Sequence, residues 1–225
     1  MIIYFFQDKI GFNDDIGFSL ALLLSITFFF LLLKTENKEP VNFLNIHKVN
    51  FNLIILLIVL AVSGTFFDLG VIELLKKFIE TDNSNDIQLY WGSIIHIVFL
   101  APICEEIFFR GIVFVKLKNV MPPFLAVIIQ GLIFGCFHGS LLSGHFVQMF
   151  SGIMYALIYH YTNNLTISIL LHSFDNLVLV ILNLLPFTFN INPPIFITIG
   201  FLCLLAVILF IKHNNLQCNW KGVQK

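Results

Sequence analysis

Seven apolar runs divide the chain, each close to the roughly 20 residues that a helix needs to cross a bilayer. Their approximate bounds are 16–34, 51–69, 90–115, 121–141, 146–162, 165–185 and 194–212. Between the second and third runs, apolar and charged positions separate at helical spacing over Val71–Glu80, which predicts a short amphipathic helix on the membrane surface. The pattern predicts an all-α, polytopic integral membrane bundle of about seven to eight transmembrane helices, folded as a single domain over 1–225.

The composition points to a membrane location. Hydrophobic residues make up 58% of the chain and charged residues 11%, which is too apolar for the surface of a soluble domain. The net charge of −1 and the lack of a basic tract exclude a nucleic-acid partner. We therefore expect a multi-pass protein of the cell membrane, with the lipid bilayer as its immediate partner.

Positive charge is unevenly distributed between the two sides of the predicted bundle. With the N-terminus outside, nine of the twelve Lys and Arg residues fall on the cytoplasmic flanks, where such residues are enriched in membrane proteins. This orientation is the one that the sequence predicts.

The third run carries three charged side chains, Glu105, Glu106 and Arg110. A charge at the centre of a membrane helix costs about 2.5–3.5 kcal/mol even on insertion scales, so these residues need a compensating role. Glu106 and Arg110 are four residues apart with the acid first, which is the favourable order for an ion pair. Glu105 points about 100° away among apolar neighbours on its own helix, which favour the protonated carboxyl and predict a general acid or base. The alternative is that both glutamates belong to one structural salt-bridge cluster.

His138 lies on a predicted helical face that also contains Gly131, Phe134 and Gly135. The two glycines form a small-xxx-small pair, which lets a neighbouring helix approach closely. A lone histidine in such a run is more often a packing or helix-end residue than a catalytic one. Its role therefore depends on the side chains that it meets.

A polar stripe follows one face of the sixth run and consists of Ser168, His172, Asn176 and Asn183. Because polar side chains avoid lipid, this face is expected to look inward. Interhelical hydrogen bonding is the alternative explanation, and it accounts for one asparagine better than for His172 and Asn176 together. For Asp175, beside the stripe, we expect a solvent-side or capping role.

The three polar segments follow one another as EExxxR, FxxxH and HxxxN, ending at Arg110, His138 and Asn176. Over roughly 101–184 the chain resembles the CPBP intramembrane glutamic endopeptidases, also called Abi or type II CAAX-protease-like proteins. The resemblance implies a membrane peptidase with its core in 101–184. Its substrate would be a peptide or a membrane protein, cut near the membrane surface.

The catalytic residues that the resemblance implies are Glu105, His138, His172 and Asn176. The glutamate would activate a water with help from the first histidine, while the second histidine and the asparagine would hold the charge that develops on the peptide carbonyl. Glu106 and Arg110 would brace the site.

Two alternatives to a glutamic peptidase stay open at this point. We expect first that the protein needs no cofactor. The second possibility is a zinc ion held by Glu105, His138 and His172, since two histidines and a glutamate are a known zinc ligand set. The sequence contains no HExxH zinc motif and neither the GxSG nor the GxGD motif of other intramembrane proteases. Outside the enzyme class, a non-catalytic scaffold or a bacteriocin-immunity-type protein would use the same bundle without chemistry.

The predicted site residues do not lie at one depth. At about 1.5 Å per residue, His172 lies roughly 10 Å, Glu105 roughly 16 Å and His138 about 24 Å from the inner ends of their helices. Helix tilt, a re-entrant entry at 122–123 or bending at the two glycines would each close the gap.

Overall fold

The computed structural model describes residues 14–35, 44–76, 94–138, 146–185 and 192–213. These ranges form seven helices and no strand: α1 (Asp14–Thr35), α2 (Phe51–Leu75), α3 (His96–Leu100, Ala101–Glu106, Ile107–Phe114 and Val115–Val120 in one continuous helix), α4 (Pro123–Phe137), α5 (Phe146–Thr162), α6 (Leu165–Leu184) and α7 (Pro193–His213). The all-α prediction is confirmed for this part of the chain. Two helices, α2 and α6, are long and apolar enough to cross a membrane, and the number of crossings stays a prediction.

Large apolar side chains cover the outside of the helices, while charged and polar side chains lie inside. Five different helices each present a large apolar side chain that is more than half exposed, namely Leu24, Phe51, Phe99, Phe124 and Phe201. Fully buried are Glu106, Arg110, Gln130 and Ser168. This arrangement is the reverse of a soluble protein's and suits a bundle whose outer surface meets lipid.

Helix α3 contains two π-helical segments. Its segments His96–Leu100 and Ile107–Phe114 are π-helical, and the α-helical segment Ala101–Glu106 lies between them. Such π segments are rare and are frequently found at functional sites. Here they flank the turn that carries both glutamates.

The predicted amphipathic surface helix over 71–80 is wrong in its first half. Val71–Leu75 forms the last turn of α2 instead of a separate element, and Lys76 closes that turn by donating its backbone N–H to the carbonyl of Ile72 at 2.9 Å. Gly70 does not interrupt the helix because it packs against α7, where a Cβ would come within 3.0 Å of the Ile197 backbone nitrogen. The second half of the predicted helix lies outside the described residues.

The depth difference predicted between the site residues does not occur. Helix α3 continues to Val120 and α4 starts at Pro123, so Glu105 and His138 are both fifteen residues from that corner. Helix α6 starts level with Phe114, six residues before the end of α3 at Val120, because Leu165 packs in one buried cluster with Leu44 and Phe114. The sequence-based estimate placed the three inner helix ends at one level, which the packing of Leu165 contradicts.

Asn164 fixes the start of α6. Its side-chain carbonyl accepts hydrogen bonds from the backbone N–H groups of Thr166 at 3.0 Å and His47 at 3.2 Å, and its amide donates to the carbonyl of His47 at 3.2 Å. One side chain therefore caps α6 and holds the segment before α2 against it. The cap sets the position from which α6 carries its polar stripe into the bundle.

Helices α2 and α7 pack tightly against each other at Gly200, and this contact yields a stability prediction. A Cβ at Gly200 would lie 2.9 Å from the Phe67 Cα and 3.0 Å from the carbonyl oxygen of Ser63, both backbone atoms. We expect Gly200→Ala to lower the free energy of unfolding by about 1–3 kcal/mol, since the helices must separate to accept the methyl group. Thermal unfolding in lipid nanodiscs measures the change.

Gly64→Ala is the matched control for Gly200→Ala. The atom nearest to a Cβ at Gly64 is the Asp175 Oδ1 at 3.7 Å, an ordinary van der Waals contact. This variant should be neutral or slightly more stable, because alanine is the better helix former. Equal destabilisation by both variants would contradict the close packing of α2 and α7.

Candidate active site

Glu105 and two histidines from other helices meet at one place in the bundle. The Glu105 Oε2 lies 3.5 Å from the His138 Nε2 and 3.9 Å from the His172 Nε2. The glutamate is 6% exposed, and its Oε2 has no hydrogen-bond partner among the described residues. All three side chains line a cavity of about 930 Å³, so the carboxylate faces space that a substrate can enter.

The apolar environment predicted for Glu105 is wrong. Its neighbours on α3 are apolar, but the side chains that face its carboxylate are the imidazoles of His138 and His172. An imidazole that carries a proton stabilises a nearby carboxylate. The error arose because spacing along one helix says nothing about the residues that neighbouring helices contribute.

Glu106 is the centre of a separate buried hydrogen-bond network. Its Oε1 accepts from the Arg110 Nη1 at 2.8 Å and from the His172 Nδ1 at 2.9 Å, while its Oε2 accepts from the Ser168 hydroxyl at 2.5 Å. The predicted ion pair with Arg110 is confirmed, and both of its members are fully buried. The two glutamates therefore differ: Glu106 is fully engaged, whereas the Oε2 of Glu105 is not.

Arg110 ties this network to α5. Its Nη2 donates to the carbonyl oxygen of Gly152 at 3.1 Å, and its guanidinium lies 4.5 Å from the Phe134 ring centroid and 5.0 Å from the Tyr155 ring centroid. Contacts with ring faces stabilise a desolvated guanidinium. With the Phe109 ring at 5.9 Å, the cation is held by one carboxylate, one carbonyl and three aromatic rings.

His138 lies at the C-terminal end of α4 with a defined ring orientation. Its Nδ1 is 2.8 Å from the carbonyl oxygen of Phe134, and because a carbonyl only accepts, Nδ1 carries the proton. The Nε2 is left to face Glu105. The close approach predicted for α4 is confirmed at Gly131, where a Cβ would lie 3.0 Å from the Met149 carbonyl oxygen on α5.

His172 is oriented by two neighbours. Its Nδ1 contacts the carboxylate of Glu106, and its ring stacks on Tyr155 with centroids 4.7 Å apart and planes 23° apart. Because a carboxylate only accepts, this contact places a proton on Nδ1 and fixes the orientation of the ring. The Nε2 is therefore directed toward Glu105 and the cavity.

Asn176 lines the same cavity and contacts the first π segment of α3. Its Nδ2 donates to the carbonyl oxygen of Ile97 at 2.8 Å. Pro102, five residues after Ile97, has no N–H to donate, so the asparagine supplies a donor that the helix lacks there. Its amide keeps a second N–H for another acceptor.

Asn183 does not join the polar stripe. It is exposed, whereas Ser168 and His172 are buried and Asn176 is partly buried. The inward face predicted for α6 is therefore right up to Asn176 and wrong for Asn183. At 100° per residue Asn183 lies on the same face as His172 and Asn176, but it is two turns farther along, in the last turn of α6, where the helix ends at Leu184.

The role predicted for Asp175 is also wrong. This residue lies in the middle of α6 and its Oδ2 accepts a hydrogen bond from the Tyr155 hydroxyl at 2.5 Å. It lines the cavity together with Asp68, which accepts from the Ser151 hydroxyl at 3.2 Å. Sequence reasoning did not single out Tyr155, Asp68 or Ser151. The sequence did contain a signal for this group, because Asp68 is a lone acid inside the apolar run of α2.

The described ranges contain no group of three His, Cys, Asp or Glu residues that could hold a metal ion. The zinc alternative therefore finds no ligand set among these residues, Glu105, His138 and His172 included.

Comparison with known proteins supports the resemblance seen in the motifs. Residues 87–178 match the family model described as "Type II CAAX prenyl endopeptidase Rce1-like". This region contains every residue of the site described above except those that α2 contributes. The predicted resemblance to the CAAX-protease-like family is confirmed over this region.

One curated relative matches a similar length of chain. An uncharacterized protein of Mycoplasma capricolum subsp. capricolum is 37% identical over 94 residues, which cover 40% of this chain and 26% of that protein. The chain thus spans about a quarter of the length of the relative that it matches. No solved structure matches.

Proposed function

We propose that this protein is an intramembrane peptidase that hydrolyses a peptide bond near the membrane surface with a glutamate-activated water. The observation that carries the proposal is the position of Glu105, a buried carboxylate without a hydrogen-bond partner on its Oε2, opposite two imidazole nitrogens and open to a large cavity. A buried acceptor left without a donor is costly unless a ligand or water completes it. The matched family supports the same reaction class.

The two histidines differ in what their free nitrogens can do. The Nδ1 of His138 donates to a carbonyl, so the Nε2 of the neutral ring is an acceptor, as is the carboxylate of Glu105. The two acceptors are 3.5 Å apart, so one water beside them on the cavity side can donate to both, and this is the position we assign to the attacking water. Glu105 accepts the water proton while the water oxygen bonds to the peptide carbonyl carbon.

His172 and Asn176 are suited to stabilise the resulting oxyanion. Glu106 accepts from the Nδ1 of His172, and we assign a second proton to the Nε2 of this ring, which makes it a charged donor toward the cavity. The second N–H of the Asn176 amide is the other donor. Loss of one such donor typically costs about 10²–10³ in rate. Collapse of the tetrahedral intermediate then breaks the C–N bond, and the protonated Glu105 returns its proton to the leaving amine.

Glu106 and Arg110 position this machinery without touching the reacting atoms. Their network joins α3, α5 and α6 through the carbonyl of Gly152 and the hydroxyl of Ser168. A displacement of about 1 Å is enough to lower the rate of a hydrolytic site strongly. We assign the pair a structural role in support of the site.

The surroundings of the site support a peptide or membrane-protein substrate in a bilayer. The cavity is lined by side chains from α2 to α7, while the outward faces of the helices are apolar. We propose a multi-pass location in the cell membrane, with the seven crossings and the orientation predicted from the sequence, and a single domain with its core over 101–184.

Comparative proteomics tests the proposed function and names the substrate. Membrane and secreted peptides are compared between cells that carry the native chain and cells that carry Glu105→Gln, with both proteins at equal abundance. We expect a defined set of cleavage products that disappears in the variant. An identical peptide inventory would favour a non-catalytic scaffold or an immunity-type protein.

Metal dependence gives a second test of the reaction type. Because the site residues have engaged Nδ1 atoms and no metal-holding group occurs among the described residues, we expect 1,10-phenanthroline and EDTA to leave the cleavage rate unchanged in proteoliposomes. Loss of activity that zinc restores would replace the glutamate-water reaction with metal-assisted hydrolysis.

A further inference from the structure

A second group of polar side chains lines the cavity between α2, α5 and α6, away from the carboxylate of Glu105. It consists of Thr65, Asp68, Gln148 and Asp175, which we call the acceptor cluster. Asp68 is held by Ser151, and Asp175 by Tyr155. Since Ser151 and Tyr155 are one helical turn apart on α5, the two carboxylates lie on neighbouring turns of the same wall.

Three oxygens of the acceptor cluster have no hydrogen-bond partner among the described residues. They are the Thr65 Oγ1, the Gln148 Oε1 and the Asp175 Oδ1, and all three atoms are buried. Thr65 is only 3% exposed and lines the cavity. Buried acceptors are costly to leave unpaired, so this wall is built to receive a group that donates hydrogen bonds.

The charge of the wall indicates which kind of donor fits. Among the described residues that line the cavity there is no lysine or arginine, whereas Asp68, Glu105 and Asp175 are acids. The arginine nearest to the site, Arg110, is fully buried and engaged by Glu106 and Gly152. His138 and His172 also line the cavity, but they face Glu105 and Glu106, so Asp68 and Asp175 have no lysine or arginine partner in the described part of the wall.

The acceptor cluster adjoins the candidate active site through one pair of rings. Tyr155 donates to Asp175 with its hydroxyl and stacks on His172 with its ring. A peptide whose carbonyl lies at His172 can therefore place a nearby side chain along Tyr155 toward the two aspartates.

We propose that the acceptor cluster is a subsite for a cationic side chain, lysine or arginine, close to the cleaved bond of the substrate. An ammonium or guanidinium group would donate to Asp175, Gln148 and Thr65 and would be neutralised by the aspartates, as buried charges require. The inference rests on the proposed peptidase function for its substrate, but the binding that it predicts does not depend on catalysis.

A binding experiment tests the subsite directly. Glu105→Gln protein in zwitterionic lipid nanodiscs is equilibrated with two random twelve-residue peptide libraries that differ only in carrying lysine or the neutral norleucine at the same positions. Retained peptides are counted by mass spectrometry, with empty nanodiscs as background. We expect lysine peptides to be enriched at least about tenfold, which corresponds to the free energy of one charge-assisted hydrogen bond.

Variants of the acceptor cluster locate the effect. In the same background, Asp175→Asn and, separately, Asp68→Asn should bring the enrichment close to one, while their thermal unfolding shows that the bundle stays folded. The matched control is Glu73→Gln, an equal acid-to-amide change on α2 at a partly exposed residue that pairs with Lys76. The control should keep the enrichment.

The outcomes separate the subsite from the peptidase function. No preference for lysine, or a preference that folded Asp175→Asn and Asp68→Asn both keep, overturns the subsite. The same libraries are then incubated with the unsubstituted protein. Lysine selectivity without cleavage would support the subsite and contradict the peptidase proposal. Cleavage without lysine selectivity would support the peptidase proposal and contradict the subsite.

Discussion

Replacing Glu105 by glutamine should lower the cleavage rate in proteoliposomes by at least about 10²–10⁴, the usual contribution of a positioned general base. The amide keeps the size of the carboxyl group but cannot accept the proton of the attacking water. Protein abundance, membrane insertion and thermal unfolding should stay close to those of the native chain, since the Glu105 Oε2 makes no hydrogen bond to a described residue. Single-turnover kinetics on a substrate found by proteomics measure the loss.

The control for this change is again Glu73→Gln. Glu73 is a partly exposed acid at the end of α2, outside the cavity, and its contact is an ion pair with Lys76 at 3.0 Å. The Glu73→Gln variant should cleave the substrate at the rate of the native chain. If Glu105→Gln retained the native rate, the base would have to be another residue and the assignment of Glu105 would be wrong.

Replacing Arg110 by methionine should destabilise the folded bundle by about 3–5 kcal/mol, because it removes the guanidinium that pairs with the buried carboxylate of Glu106. Both side chains are fully buried, and the guanidinium also holds the carbonyl of Gly152. Methionine fills much of the same volume, so the loss reports the unpaired carboxylate and not a cavity. Unfolding followed by denaturant titration in detergent micelles measures the difference.

Lys76→Met is the matched control for Arg110→Met. Lys76 also pairs with a glutamate on its own helix, but its side chain is 42% exposed and that of Glu73 is 38% exposed. Exposed pairs contribute about 0–1 kcal/mol, so this variant should unfold at nearly the native midpoint. Comparable losses in both variants would contradict a buried network centred on Glu106.

Contacts within one helix were readable from the sequence. The pairing of Glu106 with Arg110 follows from a spacing of four residues, which places two side chains on one face, and it holds although part of α3 is π-helical. The inward position of His172 likewise follows from the cost of polar groups in lipid. In both cases the relevant physics acts along a single helix.

Contacts between helices could not be read in the same way. The bond from His172 to Glu106 and the stacking of Tyr155 on His172 depend on the relative heights of α3, α5 and α6. Those heights are set by the packing of Leu165 beside Phe114 and by the Asn164 cap, which no periodicity reveals. The same dependence explains why the environment of Glu105 and the role of Asp175 were predicted wrongly.

The end of α2 illustrates a further limit. The charged positions after Gly70 separate at helical spacing, which is a feature of any solvent-facing helix turn as well as of a separate surface helix. The packing of Gly70 against Ile197 decides between the two, and α7 is more than a hundred residues farther along the chain. The pattern predicted the helical state correctly and its separation from α2 wrongly.

A kinetic cycle with Glu105→Gln, His172→Ala and the double variant tests most directly whether side chains from different helices act on one peptide carbonyl. Residues that act as a unit are strongly non-additive in their effects on rate. We expect the double variant to cleave within about tenfold of the slower single variant. If the two losses instead multiplied in full, the residues would act independently and the shared hydrolytic site would be contradicted.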